Sequence, residues 1–188
     1  MDRLIEFFHR LYFERPWCDL AWPAAAMVAG TLVGLVAGKS AARLGVVPRQ
    51  WSGLPGILTA PFVHANVAHL AANLPPFLVL GALILRRDEP HFPVVAAAIA
   101  VLQGGLLWLF GRNAAHVGMS GVIFGFFAYL LAAAWLTRST ADLLVAGGVL
   151  LFYGGMLAGL KPARDGTSWE GHLFGLLAGL ACAWLARR

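Results

Sequence analysis

Three short strings place chemically competent side chains inside otherwise apolar sequence: His64-x4-His69-x3-Asn73, Gly118-Met119-Ser120-Gly121, and His172 with Gly171 before it and Gly175 and Gly179 after it. Polar groups in segments long enough to cross a bilayer are costly to bury, and their presence points to function. Serine with histidine suggests nucleophilic catalysis, because a hydroxyl attacks a carbonyl well only when a base removes its proton. A helix starting near Ser120 would leave unpaired backbone amides and the positive end of its dipole beside that hydroxyl, which suits a developing oxyanion.

Composition decides what positions these strings. Hydrophobic residues make up 60% of the 188, charged residues 12%, and mean hydropathy is +0.74, which marks a membrane protein. The charges leave uncharged runs at Leu20–Gly38, Gln50–Leu85, Phe92–Gly111, Asn113–Thr137, Leu143–Leu160 and Leu173–Ala186. A helix needs roughly 20 residues to span the hydrocarbon core. The first five runs approach or exceed that length, and the last reaches it if Trp169, Glu170 and His172 enter the membrane. The sequence therefore predicts an all-α polytopic membrane protein of six transmembrane helices, with one domain over residues 20–188. Residues 1–19 precede it as a short cytoplasmic or interfacial segment, where Leu4, Ile5, Phe7, Phe8, Leu11 and Tyr12 suit an amphipathic helix lying on the inner surface.

Other classes are excluded by the same pattern. Solid apolar blocks do not match the alternating ten-residue segments of a transmembrane β-barrel. The basic balance, 14 Lys and Arg against 9 Asp and Glu, is no nucleic-acid signal, because those cations sit in the connections between spans. Cytoplasmic termini put Arg3, Arg10, Arg15, Arg86, Arg87, Arg138, Arg187 and Arg188 inside, and Lys39, Arg43, Arg49, Arg112, Lys161 and Arg164 outside. That bias of eight to six favours cytoplasmic termini, and the expectation is a multi-pass protein of a bacterial inner membrane in that orientation. Cys18 and Cys182 are expected as small packing residues rather than a disulfide.

The helical rise gives depths. Spans two, four and six run the same way, so measured from their inner arginines Ser120 stands roughly 27 Å high, His69 about 26 Å, His172 about 22 Å and Asn73 about 20 Å. Against a core of about 30 Å these four residues share one layer near the outer surface. No aspartate shares that depth, so the residues predict a Ser120–His172 dyad with the histidine oriented by packing. Gly121-x3-Gly125 and Gly171-x3-Gly175-x3-Gly179 are small-residue seams that allow close helix approach in lipid. Pro75-Pro76 should bend the second span just after Asn73.

With order and spacing in place, the chain resembles the rhomboid family of intramembrane serine proteases, from about Pro48 to the C terminus. That family carries His-x4-His-x3-Asn on its second helix, Gly-x-Ser-Gly at the start of its fourth, and His-x2-Gly-x3-Gly on its sixth. The resemblance implies Ser120 as nucleophile and His172 as general base and then acid. It implies an oxyanion hole made by the side chains of His69 and Asn73 with the backbone amide of Ser120, and motif roles for Gly118, Gly121, Gly175 and Gly179. It further implies transmembrane protein substrates cut within the lipid bilayer near its outer face, water entering through a cavity open to the outside, and no cofactor or metal.

Two departures from the family pattern stand out. Gly53-Leu54-Pro55-Gly56 replaces a Trp-Arg pair common in the first outer loop, and Phe124 replaces a tyrosine common beneath the histidine. Phe124 leaves stacking on His172 open and excludes a hydroxyl contact. His64 stays open between lining the cavity and supporting structure, while Arg112 and His116 are expected at the interface, Glu170 in a solvated loop, and Gln103 in helix packing. Two rival classes stay in view: a metal-dependent hydrolase using His64, His69 and His172, which lacks an accompanying carboxylate, and a non-catalytic relative that binds membrane clients; a transporter would need polar groups through the full thickness, and here they cluster in one layer.

Overall fold

A computed structural model describes residues 17–87, 92–162 and 167–187, so the amphipathic segment expected over residues 1–19 lies almost wholly outside the described residues. Six long helices follow in order: α1 (Cys18–Ala37), α2 (Val67–Leu85), α3 (Phe92–Phe110), α4 (Ser120–Thr137), α5 (Thr140–Tyr153) and α6 (Trp169–Leu185). A single turn of α-helix at Gly56–Thr59 brings the α-helices among the described residues to seven, and 3₁₀ turns extend α1 over Gly38–Leu44 and α5 over Gly154–Leu160.

Five of these segments, with α5 counted to Leu160, are long and apolar enough to cross a membrane. α6 has 17 residues, so the sixth span expected from the sequence falls just short of that length. The long uncharged run Gln50–Leu85 also divides: only Val67–Leu85 forms the long helix, and Trp51–Phe62 folds into short turns at the end of the bundle that carries Ser120. Asn66 sets that boundary, since its side-chain oxygen accepts from the His69 amide at 2.8 Å and caps α2. Through Pro75 and Pro76 the helix continues unbroken.

α4 is the axis of the bundle. In its apolar window 67% of residues are buried, against 6% for α5, which lies at the periphery. Phe77 of α2, Phe92 of α3 and Phe126 of α4 meet in the core, with ring centroids 5.5 to 6.5 Å apart. Outward faces remain apolar, with Val36 92% and Phe152 80% exposed, a surface that only lipid would cover. At the end of the bundle away from Ser120, Arg138 stacks on Trp135 and Arg187 on Trp184, as cations and tryptophans do at a membrane interface. There Arg87 pairs with Asp142 at 2.5 Å, tying the end of α2 to the start of α5. Cys18 and Cys182 are free thiols.

α4 and α6 pack backbone to backbone. A Cβ on Gly175 would strike the Gly121 carbonyl oxygen, and one on Gly179 would strike that of Gly125. The predicted seams are thus in contact and leave no room for a methyl group, so Gly179→Val should separate the helices. A loss of at least the 1–3 kcal/mol typical of overpacking is expected, read as a lower melting temperature in detergent. A melting temperature equal to the wild type would contradict the seam.

Candidate active site

Ser120 opens α4, so its amide belongs to the first turn, where N–H groups lack helical partners. The preceding Gly118 has φ +113°, and a Cβ there would lie 2.7 Å from His69 Cε1. Glycine is required twice over, by the backbone conformation and by the imidazole packed on it. The Gly118 amide donates to the Ala60 carbonyl at 2.8 Å, which anchors the turn to the short 3₁₀ segment Ala60–Phe62.

His172, in the first turn of α6, has Nε2 2.9 Å from Ser120 Oγ. Its Nδ1 lies 2.8 Å from the Gly159 carbonyl oxygen, a group that only accepts. The proton therefore sits on Nδ1, Nε2 is bare, and the Ser120 hydroxyl donates to it, which is the tautomer a general base needs. Phe124 stacks on the imidazole with centroids 4.2 Å apart and planes 5° apart, filling the open possibility left by its missing hydroxyl. The expectation that packing orients His172 was incomplete. Gly159 adds a hydrogen bond that sequence reasoning missed, since a backbone carbonyl has no residue signature.

His69 and Asn73 face the same space. The Ala65 amide donates weakly to His69 Nδ1 at 3.5 Å, which leaves the proton on Nε2, the atom beside Gly118. Asn73 Nδ2 donates one hydrogen to the His69 carbonyl at 2.7 Å and keeps a second. Ser120, His172, His69 and Asn73 together line one cavity of about 600 Å³, whose wall also includes Tyr153, Met156 and Gly159. The structure thus gathers in one place all four side chains singled out by the sequence.

His64 is not on that wall. Its ring is 2% exposed, with Nε2 accepting from the Met119 amide at 3.3 Å. Nδ1–H then donates to Thr31 Oγ1 at 3.0 Å, and Thr31 donates to the Met27 carbonyl at 2.6 Å. His64 is a strut between α1 and the turn before Ser120. Thr31, its partner, was missed; a lone hydroxyl in the apolar run of α1 was the available signal. With both nitrogens so engaged, His64 is no metal ligand, and among the described residues no three His, Cys, Asp or Glu side chains converge on a metal position. Glu170, expected in solvent, is 6% exposed and pairs with Arg112, and His116, expected at the interface, is buried in the protein with its ring bonded to Ser168. Gln103 packs against Gly121 and Gly171 as expected.

Comparisons with known proteins bear on the family to which the chain belongs. The Rhomboid domain model matches residues 49–188. An uncharacterized protein of Mycobacterium tuberculosis is 39% identical over 166 residues, spanning 82% of this chain and 69% of its own length. One from Mycobacterium leprae is 40% identical over 140 residues, 69% of this chain and 55% of its own length. Rhomboid-like protein 11, chloroplastic, of Arabidopsis thaliana is 32% identical over 143 residues, 68% of this chain and about half its own length (51%).

His64 lies ahead of α2, and burial, with His69 close by, pushes its pKa from 6.5 down to about 4. The unfolded chain therefore binds this proton first, so stability falls as pH drops from 6.5 to about 4 and the slope then vanishes. The shift corresponds to about 3 kcal/mol. His64→Gln should be less stable than the wild type at pH 7 yet show a shallower decline of melting temperature between pH 6.5 and 4. Parallel declines would mean that His64 titrates freely.

Proposed function

The chain belongs to the rhomboid family, and from that membership together with the geometry around Ser120 we propose that it is an intramembrane serine endopeptidase acting on transmembrane segments of other proteins. The observation that carries this reading is the 2.9 Å contact between Ser120 Oγ and a His172 whose tautomer is fixed by the Gly159 carbonyl. A non-catalytic client binder would have no use for a hydroxyl held against a bare imidazole nitrogen.

In this reading His172 Nε2 takes the Ser120 proton as Oγ attacks the scissile carbonyl carbon. Negative charge moves to the carbonyl oxygen, where His69 Nε2–H, the second Asn73 Nδ2 hydrogen and the Ser120 amide stabilise it. The His172 imidazolium then protonates the leaving amine, the peptide C–N bond breaks, and an acyl-Ser120 ester is left. Water entering the cavity repeats the cycle with His172 as base, releasing the carboxylate and restoring the serine. The domain runs from residue 20 to 188, α6 crosses the membrane as a sixth span, and the protein sits in a bacterial inner membrane with both termini cytoplasmic. α6 supports this placement by packing its whole glycine seam on α4, the most buried span.

Ser120→Ala and His172→Ala should each abolish cleavage of single-span substrates, with the double variant hardly worse than either, because the pair acts as one unit. A fluorophosphonate should label the wild type at Ser120 alone; brisk cleavage by Ser120→Ala would end the proposal. His69→Ala and Asn73→Ala should each lower turnover about 10²–10³-fold, the usual loss on removing one oxyanion donor. Gly159→Ala places a methyl 3.0 Å from His172 Nδ1 and should slow turnover while substrate affinity holds.

A further inference from the structure

The first turn of α6 is bolted to the connection that leads into Ser120. Glu170 Oε2 lies 3.2 Å from Arg112 Nη1, and Arg112 Nη2 donates to the Thr167 carbonyl at 2.7 Å. The His116 ring closes the same joint. Its Nε2–H donates to the Arg112 carbonyl at 3.1 Å, so its Nδ1 accepts from the Ser168 hydroxyl at 2.6 Å. The Ser168 carbonyl in turn accepts from the His172 amide at 3.2 Å. The joint is stiff on its far side as well, since the His116 main chain pairs in both directions with Val46 at 2.9 Å.

One side of this joint, Arg112 to His116, runs directly into the nucleophile; the other, Thr167 to Glu170, runs directly into the base. Folding stability alone does not account for it. A carboxylate at a helix N-terminus is favourable without being buried, and an ion pair with a buried member gains little over apolar groups of the same volume. Here the carboxylate is buried, and Glu170 Oε2 has no well-directed hydrogen bond. What the pair does fix is the position of α6 along α4, and hence the separation of Ser120 Oγ and His172 Nε2. A displacement of about 1 Å between reacting groups costs about 10²-fold in rate.

We propose that Arg112 and Glu170 are positioning residues for the dyad, locking the first turn of α6 to the segment that carries Ser120. This rests on the serine-protease reading. The test uses the full chain in lipid nanodiscs with a single-span substrate, reading kcat, KM, melting temperature and fluorophosphonate labelling. Glu170→Gln should lower kcat about 10–100-fold with KM little changed, and Arg112→Lys, which keeps the charge, should recover most of the loss seen in Arg112→Met. The decisive variant carries Arg112→Met with Glu170→Leu: no charge is left buried, so its melting temperature should match the wild type while its kcat stays as low as that of Glu170→Gln. A double variant with wild-type kcat, or losses of kcat that simply follow melting temperature, overturns the positioning role. A wild type that neither cleaves nor is labelled at Ser120 overturns the protease reading itself, and this inference with it.

Discussion

Everything at the site depends on α4 and α6 touching through their main chains. Ser120 and Gly121 are consecutive, as are Gly171 and His172, and Gly175 rests on the Gly121 carbonyl. With side chains of ordinary size at these positions the axes would move apart by some ångströms, and a 2.9 Å hydrogen bond between Oγ and Nε2 would be lost. In lipid no hydrophobic force pushes helices together, so close contact must come from shape. The glycines that look like packing are therefore also what makes the dyad geometrically available.

Polar groups in such a bundle need partners, because hydrocarbon offers none. The partners here each constrain something. Thr31 holds His64, His64 holds the Met119 amide, and the Ala60 carbonyl holds Gly118, so three segments fix the turn in front of Ser120. Gly159 holds Nδ1 of His172, and Asn73 reaches back to the carbonyl of His69. The side-chain bonds among these satisfy polar groups and at the same time select a tautomer or a rotamer. Burial cost and preorganisation are thus met by the same contacts.

The legible part of this arrangement was what side-chain type and helical rise encode. Ser120, His69, Asn73 and His172 could be placed in one layer by counting residues at 1.5 Å each, and the seams by their four-residue glycine spacing. Span limits were less legible, since an uncharged run does not say where a helix starts: Asn66 and its cap, not composition, separate the short turns of Trp51–Phe62 from α2. Glu170 departs from expectation because sequence proximity to a loop suggests solvent, whereas Arg112 pairs with its carboxylate and covers it. Gly159 was invisible because its contribution is a carbonyl oxygen.

That carbonyl comes from the least buried span. α5 is capped at its start by Ser139 and tied there by Asp142 to Arg87, while the 3₁₀ turn at its end, Gly154–Leu160, reaches the cavity and supplies the oxygen to His172. Tyr153 and Met156 of the same stretch form part of the cavity wall. The base is therefore held from two sides: the joint and seam fix its main chain to α4, and a peripheral helix fixes its ring. The Ser120 backbone is held separately, through Ala60 and His64, so the nucleophile and the ring of its base rest on different supports.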